Sequence, residues 1–470
     1  MIELNILKKI FILFLILIFG FFFNSHILAS ESNIFGLHLT QTEDIHQAKD
    51  IINSSGGDWG WITIVIRTDQ LDHQTWQDFF DNCRKYHIIP IIRLATIAEG
   101  DNWKIPDNSD IDNLANFLNS LNWPTKTQHI VLFNEVNHAQ EWGGQINVKT
   151  YVDKSLYTIE RFKNLNSDFF ILSGALDLAA PEQNPNFKSA YNFYQEINNY
   201  DSDYFYKIDA LASHSYPNHG FVGTPNDTGQ HSIRGYLWEL NLIKNLSGRQ
   251  NLPVFITETS WPHQEGITKN RNFYTTKTTA KFLVDSLNIW QQDSQIKAIT
   301  PFIFNYSNSP FDHFSWLDEN CQLYPEYQQL IDCPKNKNKP QQITSYEYYS
   351  QRLPFVIFKD TQYTGQISLK NTGQSIWGET NFCLEAIDNE FLELDPLCTT
   401  PGQKIYPNQI KIFTFNFKIK KNYPSQEKIK LTWQNLDSSI EVTSFNKEAT
   451  IYHSSLTFFD KIKRFFQKFW

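Results

Sequence analysis

From residue 33 to about residue 320, short uninterrupted apolar runs alternate with longer stretches whose apolar positions recur every three to four residues. Runs of the first kind predict strands buried on both faces, and the second pattern predicts amphipathic helices. The runs place strands at 34–39, 61–67, 87–95, 129–133, 169–175, 208–214, 252–258 and 296–304. Helical periodicity is clearest at 43–53, 76–86, 110–121, 149–165 and 279–290. Past a charged, polar stretch at 335–349, only period-two alternation remains, from 350 to 453, with turns at 371–373, 401–402 and 422–425.

Eight strand–helix units over roughly 300 residues have the length and order of a (β/α)8 TIM barrel, expected here over 31–334. A doubly wound open sheet is the competing α/β architecture, but no Gly-rich phosphate-binding turn follows the first strand. Residues 335–349 are expected to be a linker, and the alternation over 350–453 predicts an all-β sandwich.

Two strands end in a carboxylate. The run from His129 breaks into Asn134-Glu135, and the run from Leu252 ends at Glu258. In a parallel barrel the strand C-termini face the substrate, so these carboxylates, three units apart, fall on one face. Two such groups can flank a glycosidic bond, one as acid and one as nucleophile. Arg67 and Arg93 also end apolar strands, and a guanidinium buried there needs a carboxylate partner. The sequence leaves open which of them lies near Glu258. His38, at the end of the first strand, and Asp177, after the fifth, are further candidates for this face.

The Asn134-Glu135, His214-Ser-Tyr216 and Thr257-Glu258 strand ends together resemble those of clan A glycoside hydrolases, over roughly residues 33–320. That resemblance implies a retaining enzyme acting on β-linked sugars. Glu135 would be the acid/base, Glu258 the nucleophile, and Asn134 a partner of the sugar 2-hydroxyl. Tyr216 would donate a hydrogen bond to Glu258, and His214, two residues earlier and so on the same face if the strand continues, would bind a sugar hydroxyl. Family members carry a Trp at the end of the eighth strand, where this chain has Phe304-Asn-Tyr306, with Trp316 some ten residues on. Val136 stands where many relatives have Pro. A weaker likeness, carried by Asn371-Thr-Gly373, Trp377 and Trp433, is to immunoglobulin-like accessory domains.

Composition changes this picture in three ways. Aromatic residues make up 15% of the chain, with 13 Trp. Trp142, Trp261 and Trp316, in loops on the expected catalytic face, are candidate platforms for sugar rings, and Trp61 is expected in the core. Net charge is −9 with no basic stripe before the extreme C-terminus, which argues against nucleic acid as a partner. No Gly-x-Ser-x-Gly elbow, His-Glu-x-x-His or paired Cys-x-x-Cys occurs, so neither a lipase, a zinc peptidase nor a structural zinc is expected, and no cofactor is implied.

The termini address location. Lys8-Lys9 precede an apolar run from Ile10 to Phe23, so 1–30 reads as a signal peptide or an N-terminal membrane anchor. Either places the body outside the cytoplasm, secreted or held at the cell surface. In the tail, 454–470, Phe458, Ile462, Phe465, Phe466 and Phe469 share a helical face, with Lys461, Arg464 and Lys468 on the others. That pattern suits an interfacial membrane contact or a helix docked on the sandwich, and the sequence leaves both open. Cys321 with Cys333, and Cys383 with Cys398, are spaced to close disulfides, while Cys83 reads as a buried thiol. Two readings stand beside hydrolysis: a non-catalytic glycan-binding protein, and a wall transglycosylase using the same residues.

Overall fold

The computed structural model describes residues 32–452, apart from 355, 380–381, 388–391, 401, 421–429, 436–442 and 447–449. The expected N-terminal leader or anchor and the basic tail therefore lie outside the described residues. Among the described residues, no helix is long and apolar enough to cross a membrane. The described residues divide into two units, 32–121 with 127–340, and 122–126 with 341–452.

The first unit is mixed α/β with parallel strands. Its strands are β1 (Gly36–Leu39), β2 (Gly60–Arg67), β3 (Ile88–Ala95), β4 (Gln128–Val131), β5 (Phe169–Leu172), β6 (Leu211–His214), β7 (Val254–Glu258) and β8 (Ile296–Ile299). They form a five-stranded sheet, β1-β2-β3-β4-β5, and a three-stranded sheet, β8-β7-β6, all parallel. Single parallel bridges, Leu172↔Ala210 and Phe35↔Ile299, sit at the two junctions between these sheets. The runs read as strands because both faces are covered: β1, β4, β6 and β7 are buried at every position.

Helices α1 (Ile45–Ile52), α2 (His73–Tyr86), α3 (Asn108–Ser120), α4 (Val148–Leu165), α5 (Ala190–Tyr200), α6 (Gly235–Ser247), α7 (Thr276–Trp290) and α8 (Gln328–Asp332) follow the strands in turn. Their starts are set by local chemistry. Asp72 accepts from Thr75 N, Asn147 from Thr150 N and Thr275 from Thr278 N, while Asp107 and Asp110 form a reciprocal capping box. Buried side chains of these strands, among them Trp61, Ile91, Val131, Leu172, Ala212, Phe255 and Ala298, pack into a single cluster. Seven strands contribute to it, so the strand C-termini rest on a solid floor.

Residues 335–340, expected as linker, belong to this unit instead. Lys335 is buried, with Nζ donating to Ser54 Oγ (2.7 Å) and Leu330 O (2.7 Å), and Asn338 Nδ2 donates to Asn33 O and Trp59 O. The lysines made this stretch look solvated, but one of them finds three oxygen partners inside.

The second unit is antiparallel in its main sheets. Strands β9 (Tyr346–Arg352), β11 (Gln362–Asn371), β15 (Ile410–Ile419) and β13 (Leu392–Leu394) make one sheet in the order β9-β11-β15-β13. A second has the order β14-β12-β16-β17, from β14 (Leu397–Cys398), β12 (Cys383–Ile387), β16 (Lys430–Asn435) and β17 (Thr443–Asn446). A parallel pair, β10 (Val356–Phe358) with β18 (Thr450–Tyr452), completes the strands. Trp377 is fully buried and stacks on Phe382 with ring centroids 4.0 Å apart. Cys383 and Cys398 are paired in a disulfide across β12 and β14, whereas Cys321 and Cys333 are free thiols, one exposed and one buried. The Cys321–Cys333 bridge suggested by spacing is thus not formed, because the intervening loop carries one thiol outward and packs the other inward.

Candidate active site

The strand C-termini open on a cavity of about 680 Å³. Glu258, the last residue of β7, lies at its base and is only 7% exposed. Arg93 of β3 donates from Nη1 to Glu258 Oε1 at 2.5 Å, and Tyr216 OH donates to Oε2 at 3.1 Å. Nδ1 of His38 and Nδ1 of His214 each stand 3.7 Å from this carboxylate, on different oxygens. Burial works to raise the Glu258 pKa, but His214, Arg93 and the Tyr216 hydroxyl outweigh it and hold the carboxyl well below its usual range. Tyr216 is pushed the other way by burial and by Glu258, so it stays a donor.

His38 is buried, and burial lowers its pKa to about 4. Its Nδ1 faces Thr257 O at 3.3 Å, and a carbonyl only accepts, so the neutral ring carries its proton on Nδ1.

Beyond β4 the backbone turns sharply. Phe133 and Glu135 both take left-handed conformations, φ 70° and 30°, which throws the Glu135 side chain toward the cavity. An isolated bridge, Asn134↔Ala175, carries the β4–β5 pairing past the formal strand ends. Glu135 Oε1 lies 2.8 Å from His214 Nδ1. Burial disfavours a charged His214, yet Glu258 and Glu135 draw its pKa upward. One oxygen of Glu135, one of Glu258 and the His214 nitrogen all lie within 4.8 Å of one another. That trio has the donor set for a divalent cation. Each carboxylate is already engaged by a cationic or N–H partner, however, so a metal would have to displace Arg93 or the His214 proton.

Asn134 joins the two halves of the site. Its Oδ1 accepts from Arg93 Nη1 at 2.6 Å, and its Nδ2 donates to Glu141 Oε2 at 3.3 Å. Burial and the charge of Glu135 raise the Glu141 pKa. Behind Glu135, His138 Nε2 and Asp177 Oδ2 pair at 2.9 Å, and both residues line the cavity. Asn137 holds Asp177 by its backbone, donating to Asp177 O and accepting from Asp177 N.

The structure thus brings Glu135, Glu258, Asn134, Arg93, Tyr216, His214 and His38 together. For His214 and the three loop tryptophans it differs from the expectation, and of the two arginines it is Arg93 that meets Glu258. His214 is buried and bound to the carboxylates, so it does not offer its ring to a sugar hydroxyl. Arg67 lines the outer cavity but is paired with Asp69, Nε to Oδ1 at 2.9 Å, and not with Glu258. Trp261 and Trp316 are 0% exposed and lie off the cavity, and Trp142, which borders it, is 1% exposed. These rings pin long loops instead: Trp261 Nε1 donates to Gly223 O at 2.7 Å, and Trp316 stacks on Tyr327 at 4.5 Å. Phe133 and Tyr151 flank Trp142.

Glu141 and the aromatic residues Trp103, Phe221, Phe302, Tyr306, Phe311 and Phe314 also border the cavity, and sequence reasoning had assigned them no part in it. For Phe302, Tyr306, Phe311 and Phe314 the only signal was the density of aromatic residues at and after strand eight, and for Glu141, Trp103 and Phe221 there was none.

No family model matches this chain, and no curated protein sequence matches it. Among solved structures, an endo-β-1,3-glucanase of glycoside hydrolase family 128 (subgroup II) from Sorangium cellulosum aligns at TM-score 0.43 and 15% identity, over 64% of this chain and 98% of its own. A glucosidase from Croceicoccus marinus aligns at TM-score 0.49 and 8% identity, over 83% and 97%. A β-1,3-glucanosyltransferase from Rhizomucor miehei aligns at TM-score 0.39 and 14% identity, over 62% and 96%. Likenesses at this level assign neither a reaction nor a substrate to this chain.

Proposed function

We propose that the first unit is a closed (β/α)8 barrel and a retaining glycoside hydrolase that cleaves β-linked sugars by double displacement. One observation carries this reading. Two strand-end carboxylates, Glu135 and Glu258, lie with oxygens within 4.8 Å of each other. Retaining enzymes hold their two carboxyl groups about 5–5.5 Å apart, whereas inverting ones leave about 6.5–9.5 Å for a water. The single bridges at both sheet junctions support closure of the barrel.

Glu258, kept ionised by Arg93 and Tyr216, attacks the anomeric carbon. Glu135 gives its proton to the leaving oxygen as the glycosidic bond breaks. Glu135 then takes a proton from water, which attacks the anomeric carbon and releases Glu258 as a carboxylate. Arg93 binds Asn134 and Glu258 with the same nitrogen, so the amide and the nucleophile are positioned as one piece. His214 steers Glu135 from beneath. The second unit is read as an immunoglobulin-like accessory domain, and the leader pattern at 1–30 supports a location outside the cytoplasm, secreted or surface-held.

The test is hydrolysis of aryl β-glycosides and soluble β-glucans, mannans and galactans by wild type, Glu258→Ala and Glu135→Ala. Glu258→Ala is expected to lose activity by several orders of magnitude and to regain turnover with azide, giving an inverted glycosyl azide. Product analysis with added acceptor sugar separates hydrolysis from glycosyl transfer. An active wild type matched by both variants would sink the assignment.

A further inference from the structure

With the three expected tryptophans in the core, the cavity's aromatic surface comes from elsewhere. Phe302 packs edge-on against His38, ring centroids 5.3 Å apart, and His38 stands beside Glu258. Phe311 follows 5.4 Å further out, again edge-on, and Tyr306 packs on Phe311 at 5.7 Å. All three line the cavity, so they form an aromatic row leading outward from the nucleophile. Each step is comparable with the advance per sugar in a β-linked chain.

Phe311, packed between Phe302 and Tyr306 in this row, is 43% exposed. With Phe302 and Tyr306 it makes a contiguous apolar patch on the cavity wall, the kind of surface that marks a ligand-binding groove. Its mount is rigid. Asp312 Oδ2 accepts from Ile267 N at 2.7 Å, and His313 Nδ1 bonds His263 O at 2.9 Å, which ties the 3-10 turn Phe311–Phe314 to the loop after β7. The same cavity is also lined by Thr40, Gln41, Arg67 and Gln70, which carry hydroxyl, amide and guanidinium groups, and Thr40 Oγ1 donates to Asn305 O, next to Tyr306, at 3.1 Å. An aromatic surface in one cavity with such donors and acceptors fits a pyranose, which has apolar C–H faces and a hydroxyl rim.

We propose that Phe311 and Tyr306 form a second sugar subsite, one residue out from the sugar that reacts with Glu258. The substrate is then a chain of β-linked sugars that extends past the reacting unit on the nucleophile side, not a single terminal sugar. This rests on the glycosidase reading of Glu135 and Glu258. The two are separable, since the subsite acts through binding and the carboxylates through bond cleavage.

The experiment compares wild type, Phe311→Ala and Phe311→Tyr on β-linked gluco-, manno- and galacto-oligosaccharides of increasing length and on their monosaccharide aryl glycosides. Within each protein, kcat/KM for the longer substrate is divided by that for the shorter. Phe311→Ala is expected to lower this ratio by about tenfold, and Phe311→Tyr to restore most of it. In parallel, calorimetric titration of the longest oligosaccharides into Glu258→Ala, with and without Phe311→Ala, reads binding without turnover, and Kd is expected to rise by the same factor. A wild type that gains nothing from chain length, or a ratio and Kd untouched by Phe311→Ala, overturns the subsite. A wild type that binds these chains through Phe311 yet cleaves none of them overturns the glycosidase reading and leaves the subsite standing.

Discussion

Glu239 sits on α6, wholly buried, directly behind the strand that carries His214. Tyr194 OH donates to its Oε1 at 2.6 Å, and Ser213 Oγ donates to Oε2, with Ser215 Oγ 2.8 Å from Ser213 Oγ. Burial pushes this carboxyl up from 4.5 to about 7, against the pull of Ser213, Tyr194 and His214. Below pH 4.5 the carboxyl is protonated in the folded and unfolded chains alike. Between that point and about pH 7 the unfolded chain ionises while the folded one keeps its proton. Stability contributed by the neutral form is therefore present at low pH and lost as pH rises through 7. Each pH unit in the window weakens the fold by ~1.4 kcal/mol, about 3 kcal/mol in all. Glu239→Gln keeps the shape, accepts from Tyr194 and donates to Ser213, whose hydroxyl can turn toward Ser215. Urea unfolding of wild type and variant from pH 4.5 to 8, followed by tryptophan fluorescence, reads the difference directly. The variant should gain on wild type steadily across the window and hold a constant advantage above it. Parallel curves would mean that Glu239 ionises as readily inside as in the unfolded chain, and the reasoning would fail.

Two further outcomes follow from the site. Tyr216→Phe removes a bond to a charged carboxylate, worth about 1.5–3 kcal/mol, so kcat/KM should fall about 10- to 100-fold while the fold is kept. Because the lost hydroxyl favours the Glu258 anion, the acid limb of the pH–rate profile should move to higher pH. Trp316→Ala should cost about 3–5 kcal/mol of stability, since the ring is fully buried on Tyr327; a raised KM with unchanged stability would restore it as a sugar platform.

The strands were legible because both their faces are buried, so each appears as an unbroken apolar run. Their C-terminal limits were not. Apolar residues at 133, 175 and 302–304 continue the runs, yet Phe133 already takes a left-handed φ, Ala175 pairs only singly, and Phe302 turns to the cavity. The carboxylates stood out as polar breaks in apolar runs. Arg93 could not be told from Arg67, because which one meets Glu258 depends on where each falls along its strand. Arg93 lies two residues before the end of β3, while Arg67 is the last residue of β2 and reaches only Asp69. Parity along a strand also misled for His214. It precedes Tyr216 by two residues, but Tyr216 lines the cavity whereas His214 lies beneath the carboxylates. For the loop tryptophans residue type carried no direction, since an indole that pins a loop and one that greets a sugar look alike in sequence.

The left-handed backbone at Phe133 and Glu135 bears on how this chain can change over generations. Neither residue is suited to that conformation, and each such position costs on the order of 1–3 kcal/mol. Glycine at 135 would relax the turn and remove in one step the carboxyl proposed as proton donor. On the proposed reading, selection for heat survival alone would favour silenced descendants, and glutamate would persist there only under continued selection for turnover.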